Sequence, residues 1–333
     1  MLCLIPILFI GLVQPTVAQD SQVYHWKRVV TGVHRGEAEG AVVDLVSPSE
    51  GSHLISALKG SGGFAHWRLD RAPVRNSVSG QLTDTESLSW AVDCPLLVVR
   101  AGRSPSKSGS YTYDGGVIWR EFPAEPPGAL AGSIVFNSTA EVIVWSTGGS
   151  TWRSFDFGKS WAKSAGLSGN VELVADGVTP TRTYALSGAN LYMSDDTARS
   201  FHPIDSIGLP TARGRMRATE YQVGGLWVPA QTGLFHSVDA GKFFRKLPHF
   251  ESVESIGFGK PVRGERYPTL FANGKYEGIV GVFRSDDKGQ SWTRISDPFS
   301  PFEVHGVVTG DPRIYGRVYL GTKDRGILYG DPD

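Results

Sequence analysis

The octapeptide Ser285-Asp-Asp-Lys-Gly-Gln-Ser-Trp292 decides the fold of this chain, because four other segments repeat its pattern. The earlier copies are Thr112–Trp119, Ser154–Trp161, Ser194–Phe201 and Ser237–Phe244. Their central aspartates are 42, 40, 43 and 48 residues apart, counted in chain order through all five copies. A pattern that recurs at such a period predicts an array of similar structural units.

Each copy has the chemistry of a tight turn. The pattern, Ser/Thr-x-Asp-x-Gly-x-Ser/Thr-Trp/Phe, is known as the Asp-box. We expect the aspartate to accept backbone N–H bonds across the turn, the glycine to take a positive φ, and the aromatic ring to pack beneath. Ala198 replaces the glycine in the third copy, so that turn is expected to be strained or differently shaped. The aspartates are therefore predicted to be structural: Asp114, Asp156, Asp196, Asp239 and Asp287.

The segments around the Asp-boxes have the pattern of short β-strands. One unit contains the apolar or alternating stretches 133–136, 141–146, 151–155 and 161–164. Four strands in roughly 40 residues make a propeller blade. The predicted fold class is all-β, a single seven-bladed β-propeller with Asp-box repeats, whose blades begin near Ala41, Leu88, Gly132, Val171, Arg215, Val253 and Val304.

The last blade lacks an outer strand of its own. Residues 326–333 resemble 281–287 and stop at the Asp-box aspartate, whereas Tyr24–Val29 resembles the outer-strand sequence 291–295. We therefore predict that the N-terminal strand closes the ring onto the last blade, which would leave no unpaired edge there.

The composition argues against several classes of function. The 33 Lys and Arg balance the 33 Asp and Glu, so the net charge of zero disfavours a nucleic-acid-binding surface and a polybasic membrane surface. The eight histidines lack metal-ligand spacing and the two cysteines form no cluster, so no metal site is predicted. No phosphate-binding glycine loop and no Gly-x-Ser-x-Gly elbow is present, and no cofactor is expected.

The N-terminus has the pattern of a secretory signal. The apolar run 2–13 is followed by Thr16-Val17-Ala18, which resembles a cleavage site. We predict a signal peptide over residues 1–18 and a propeller over 19–333, which makes the protein secreted and extracellular. In a secreted chain, Asn137-Ser138-Thr139 predicts a glycosylated turn.

Beyond the repeat, four segments resemble the second propeller of glycoside hydrolase family 74, the xyloglucanases and oligoxyloglucan reducing-end-specific cellobiohydrolases. The segments are 39–48, 54–66, 224–229 and the closing motif 309–331, and the resemblance runs from about Gly36 to Asp331. It implies a polysaccharide ligand, because those enzymes bind xyloglucan in a cleft between two propellers. It also implies that the first propeller and its catalytic aspartate are missing from this sequence.

The same resemblance places the family's general acid in a Gly-Asp-x-Gly-Gly-Phe turn. This sequence reads Lys59-Gly-Ser-Gly-Gly-Phe64, so Gly60 stands at the position of the acid. Inverting glycosidases need an acid and a second carboxylate, and glycine can supply neither. We therefore assign no catalytic residue.

Other side chains are candidates for function. The substrate-binding candidates are Ser61, His66, Trp67 and Trp90, since aromatic rings stack on sugars and these residues flank the expected cleft. The carboxylates in the first two blades are expected to be solvated or to cap turns: Asp70, Asp84, Glu86 and Asp93. The basic cluster 213–217 is expected to be a solvated loop, or otherwise a docking patch.

The sequence supports three functions. The first is a secreted xyloglucan- or β-glucan-binding protein of the plant cell wall whose hydrolysis is lost or strongly impaired. The second is an active xyloglucanase, acting through other carboxylates or with a separate first propeller. The third is a protein-binding propeller. A sialidase is disfavoured because the chain lacks the Arg-Ile-Pro motif.

Overall fold

The computed structural model describes residues 23–31, 41–73, 82–212, 214–296, 306–323 and 325–333. The predicted signal peptide over residues 1–18 lies outside these ranges. The regular secondary structure of the described residues is entirely β-strand, so they include no helix that could cross a membrane.

Within the described residues the strands form seven sheets, and these sheets are the blades of the predicted seven-bladed β-propeller. The first three blades contain β2 (Val42–Val46), β3 (Leu54–Leu58) and β4 (Gly62–His66); β5 (Asp84–Ala91), β6 (Cys94–Arg103), β7 (Gly109–Thr112) and β8 (Arg120–Glu121); and β9 (Ser133–Phe136), β10 (Ile143–Thr147), β11 (Ser150–Ser154) and β12 (Ala162–Lys163). The fourth and fifth contain β13 (Glu172–Ala175), β14 (Thr183–Ser187), β15 (Asn190–Ser194) and β16 (His202–Ile204); and β17 (Arg217–Ala218), β18 (Leu226–Ala230), β19 (Gly233–Ser237) and β20 (Arg245–Lys246). The last two contain β21 (Phe250–Gly259), β22 (Thr269–Tyr276), β23 (Ile279–Ser285) and β24 (Thr293–Arg294); and β25 (Gly306–Gly310), β26 (Val318–Thr322) and β27 (Ile327–Pro332), to which β1 (Tyr24–Arg28) adds a fourth strand.

The N-terminal strand belongs to the same sheet as the C-terminal one. β1 pairs antiparallel with β27, with Trp26 opposite Gly330. The indole nitrogen of Trp26 also donates to the carbonyl of Ile295 at 2.9 Å. The last blade is therefore built from both ends of the described chain.

The second blade begins earlier than the sequence indicates. Its first strand starts at Asp84, four residues before the expected Leu88. Residues 84–87 are polar, and Thr85 and Ser87 are buried without being apolar. Strands are recognised in a sequence by alternating apolar residues, so a strand that begins with four polar residues is predicted to start too late.

The hydrophobic core lies between the blades. Seven clusters of buried side chains each combine residues from two neighbouring blades, and one of them joins the last blade to the first. Trp145 and Trp227 are fully buried in two of these clusters. Burial of such side chains stabilises the ring by about 1.5–3 kcal/mol each.

The five Asp-box turns share one hydrogen-bonding scheme. The central aspartate accepts a bond of 2.9–3.0 Å from the amide four residues later, from Ile118 in the first copy to Ser291 in the last. Ala198 has a φ of 60°, and its amide donates to Ser194 Oγ as the glycine amides of the other copies do. The third turn therefore has the same hydrogen bonds as the others. The expected strain is the cost of a positive φ at an alanine.

Asn137 does not present its amide to solvent. Its side chain is 1% exposed, and its nitrogen donates to Thr139 Oγ1 at 3.0 Å and to the Pro180 carbonyl at 3.1 Å. In the folded chain both N–H groups of this amide are therefore already used, and glycosylation at Asn137 stays a prediction. The asparagine also organises the turn between two strands, since its oxygen accepts from Val142 N.

The antiparallel order of the strands gives the ring two different faces. The Asp-boxes follow the third strand of their blades and lie on one face, which we call the Asp-box face. The turns between the second and third strands, such as 59–61 and 148–149, lie on the opposite face, which we call the hairpin face.

Candidate functional site

The turn at Gly60 lies on the hairpin face and has room for a side chain. Gly60, Gly62 and Gly63 all have positive φ, with values of 81°, 73° and 118°. A Cβ atom at Gly62 or Gly63 would come within 2.0 Å of a backbone oxygen, so both positions require glycine. A Cβ at Gly60 would meet nothing within 4 Å. Gly60 is therefore an open position that carries no functional group.

Asp84 supplies the carboxylate that lies against this turn. Its Oδ1 accepts a hydrogen bond of 2.6 Å from the Gly60 amide. Glu86, two residues along β5, pairs with Arg103 at 3.1 Å. Asp84 therefore caps this turn, in agreement with the prediction of a solvated or turn-capping residue, and lies beside Gly60. The sequence did not indicate this contact, because Asp84 and Gly60 belong to neighbouring blades.

The four predicted substrate-binding residues do not lie together. Ser61 is in the turn beside Gly60, and its Oγ is buried without a partner among the described residues. His66 and Trp67 lie at the other end of β4, about 13 Å along the strand. Their assignment to the cleft is therefore wrong if the cleft is at Gly60, because the strand begins at Gly62 and carries them to the Asp-box face.

His66 is also inaccessible. It is 0% exposed, and its Nε2 lies 3.2 Å from Ser56 Oγ. Burial lowers the pKa of His66 to about 4, so its ring is neutral at ordinary pH. The prediction that His66 contacts substrate is wrong for this structure. Trp67, by contrast, is 46% exposed, on the Asp-box face.

Trp90 lines a small cavity at the Asp-box end of the central channel. The cavity has a volume of about 160 Å³ and also contains Glu220 and Tyr221. Burial raises the pKa of Glu220 to about 7. Trp90 thus lies far from the Gly60 turn, and its predicted role in stacking on a sugar applies only to a ligand on the Asp-box face.

A buried ion cluster crosses the central channel. Asp44 is 0% exposed and lies 2.8 Å from Arg217 and 3.4 Å from Arg215. The amides of Leu45 and Leu88 also donate to its two oxygens. Burial would raise the pKa of Asp44, but the two arginine charges and these hydrogen bonds outweigh burial and hold the pKa below its usual range. We call Asp44, Arg215 and Arg217 the channel bridge.

The channel bridge corrects the interpretation of the basic cluster 213–217 as a solvated loop. The side chains of Arg215 and Arg217 are only 28% and 26% exposed. Arg215 also donates to the carbonyl of Glu86, in the second blade. The signal that the sequence did offer is Asp44 itself, a single charge within the apolar strand 42–46, since a buried charge requires a partner.

Above the bridge, the channel widens into a cavity on the hairpin face. Its volume is about 810 Å³, which is within the ~300–1,000 Å³ typical of ligand sites. Its wall is formed by the beginnings of the innermost strands. Lys59 also lines it, so the adjoining Gly60 turn lies at its rim. We call this cavity the funnel. Both the funnel and the smaller cavity are lined by Arg215 and Arg217, so the bridge separates the two.

Charged groups line the funnel with both signs. Glu172 accepts a bond of 2.7 Å from Met216 N, and burial raises its pKa while the charges of Arg215 and Arg217 oppose that shift. In the described ranges, no group of three His, Cys, Asp or Glu side chains has the arrangement of a metal site. The described lining of the funnel therefore contains charged donors and charged acceptors beside apolar strand residues.

Known proteins were compared with the whole chain. No family profile matches it. A xyloglucanase from Paenibacillus sp is 39% identical over 313 residues, which are 90% of this chain and 30% of that protein. The xyloglucanase Xgh74A of Acetivibrio thermocellus is 34% identical over 304 residues, 89% of this chain and 36% of that enzyme.

The solved structures give the same result. The crystal structure of the GH74 xyloglucanase from Xanthomonas campestris matches with a TM-score of 0.81 and 36% identity, over 89% of this chain and 44% of that one. The GH74 enzyme of Niastella koreensis matches with a TM-score of 0.78 and 28% identity, over 90% of this chain and 44% of that one. This chain thus spans less than half the length of these relatives.

Proposed function

Since this chain is a propeller domain of glycoside hydrolase family 74, we propose that it is a secreted xyloglucan-binding protein in which hydrolysis is lost or strongly impaired. The ligand is xyloglucan or a related β-1,4-glucan, bound on the hairpin face. Support comes from the relatives named xyloglucanase, which align with about nine-tenths of this chain. The size and polarity of the funnel also suit a sugar.

Gly60 is the observation that carries the loss of hydrolysis. An inverting glycosidase protonates the leaving oxygen with one carboxylic acid and activates water with a second carboxylate. The family resemblance puts that acid at Gly60, which is an open position without a side chain. Loss of a positioned general acid lowers the rate by about 10²–10⁴-fold.

Asp84 supports a second candidate function, an active xyloglucanase that cleaves β-1,4-glucosidic bonds with inversion. Its carboxylate lies against Gly60, close to the place where an acid at that turn would act. The Asp84 carboxylate, however, is anchored to the backbone of the turn by this bond, and it does not stand at the position that the family resemblance gives to the acid. For that reason we prefer the binding function.

Two measurements on the same protein distinguish these functions. We expect a calorimetric titration with xyloglucan oligosaccharides to show binding, and a reducing-end assay with xyloglucan to show no new chain ends. If the wild type releases new chain ends and Asp84→Asn does not, the active enzyme is established. Asp70→Asn is the matched control, because Asp70 is an exposed carboxylate beyond the far end of β4. A chain that binds no β-glucan would overturn the proposal and leave a protein partner to be tested.

A further inference from the structure

The funnel is closed at its base. Asp44 lies in the first blade and Arg217 in the fifth, and these blades are not neighbours, so the ion pair between them crosses the channel. Arg215 reaches the same carboxylate and also the carbonyl of Glu86 in the second blade. A ligand that enters from the hairpin face therefore stops at the channel bridge. Such a closed site fits the end of a chain, not its middle.

The base of the funnel presents unused hydrogen-bond donors. A guanidinium has five N–H groups. Among the described residues, Arg217 donates to Asp44 alone, and Arg215 contacts only Asp44 and the Glu86 carbonyl. Both side chains line the funnel as well as the smaller cavity, so N–H groups that Asp44 and Glu86 do not use are available at the base of the funnel. A planar fork of donors suits two adjacent hydroxyl oxygens.

Among the described residues, the site carries charges of both signs in similar numbers. The funnel wall and the bridge hold four positive and four negative side chains, namely Lys59, Arg215, Arg217, Lys323, Asp44, Glu86, Glu172 and Glu254, and Arg103 beyond the wall pairs with Glu86. A charged ligand would leave its own charge uncompensated in a partly buried site, which is unfavourable. A neutral ligand with many hydroxyls uses the donors and the acceptors without adding charge.

We propose that the funnel binds the terminal sugar unit of a neutral glucan chain, with Arg215 and Arg217 donating to its hydroxyls and Glu86 and Glu172 accepting from them. This proposal rests on the proposed function and adds to it the part of the polysaccharide that is recognised. The rest of the chain then leaves the funnel past Lys59 and crosses the face at Gly60.

The test compares two xyloglucan samples at equal mass concentration, the intact polymer and a partial digest that has many more chain ends. In calorimetric titrations of the full chain, we expect the digest to saturate the protein at a lower mass, in proportion to its number of ends. Tetragalacturonic acid serves as an anionic probe and is expected not to bind.

Two variants test the base of the funnel. Arg217→Met leaves Asp44 paired with Arg215. Asp44→Asn/Arg217→Met removes both members of the closer pair, so that no charge remains at the fully buried position 44 and only the partly exposed Arg215 loses its partner. We expect each variant to bind the digest at least about tenfold more weakly, as loss of about 1.4 kcal/mol requires. The control is Arg68→Ala, an exposed arginine beyond the far end of β4, with wild-type affinity expected.

The outcomes separate the two proposals. Equal saturation by both samples, or wild-type affinity in both folded variants, would overturn chain-end binding and leave glucan binding intact. Tighter binding of tetragalacturonic acid than of the digest would also overturn it, because the site would then prefer an anion. Absence of binding to either xyloglucan sample would overturn both proposals.

Discussion

Arg217 and Asp44 form a 2.8 Å ion pair that joins the fifth blade to the first across the central channel. Neighbouring blades contact each other through apolar clusters and hydrogen bonds, whereas this pair is a polar contact between blades that are not neighbours. It is fully buried on the aspartate side and partly accessible on the arginine side. Its location makes the pair both a structural element and the base of the proposed sugar site.

Removal of Asp44 is expected to destabilise the fold. Asp44→Ala leaves two arginines without their buried partner, and breaking such a cluster lowers the free energy of unfolding by about 3–5 kcal/mol. Asp44→Asn/Arg217→Met removes both members of the pair, so it should lower the free energy of unfolding by less. Urea denaturation of the two variants measures the difference. Equal stability of Asp44→Ala and the wild type would show that the pair contributes nothing.

Gly60 and Gly63 are expected to respond differently to substitution. Gly60→Asp adds a side chain in open space at a φ of 81°, and its left-handed conformation costs about 1–2 kcal/mol. Gly63→Asp would place Cβ 1.9 Å from the Ser56 carbonyl oxygen, so the variant should unfold or be much less stable. Thermal melting of both proteins checks this. A Gly63→Asp protein with the stability of Gly60→Asp would contradict the described turn.

Glu220 makes the stability depend on pH. Its folded-state pKa of about 7 lies above the value near 4.3 of an unfolded glutamate, so the folded state binds the proton more tightly. The stabilisation is therefore complete below about pH 4 and is lost as the pH rises from there through about 7, where the buried group ionises. Glu220→Gln is expected to be about 1–3 kcal/mol more stable than the wild type at pH 8.5 and no more stable at pH 4. If the difference in melting temperature between the two proteins is the same at pH 4 and at pH 8.5, this role is refuted.

Trp67 distinguishes the two faces of the ring. It is 46% exposed at the Asp-box end of β4, whereas Gly60 lies at the hairpin end. If glucan binds the hairpin face, Trp67→Ala should keep wild-type affinity for xyloglucan oligosaccharides in calorimetry. A severalfold loss of affinity would move the sugar to the Asp-box face and restore Trp67 as a stacking residue.

The fold could be predicted from the sequence because the Asp-box repeats at nearly constant spacing. The beginning of the second blade could not, since Asp84 to Ser87 form a strand without apolar residues. The candidate site was predicted in part. Gly60 was identified through its flanking glycines, which the structure shows to be required by close backbone contacts at Gly62 and Gly63.

The misplaced residues have a common cause. His66 and Trp67 follow the Gly60 turn closely in sequence, but an extended strand carries them to the opposite face. Arg215 and Arg217 have the pattern of a solvated basic cluster, and only the closed ring brings them to Asp44, more than 170 residues earlier in the chain. Contacts across a propeller channel join blades that no local pattern connects.

The most direct test of the account is the release of new reducing ends from xyloglucan by the purified wild-type chain, at a protein concentration that gives measurable binding. Because Gly60 offers no acid and the Asp84 carboxylate is bonded to the Gly60 amide, we expect binding and no release above the protein-free control. Release at a steady rate that persists in the wild type and disappears in Asp84→Asn would contradict the account, since a carboxylate of this propeller would then act in catalysis.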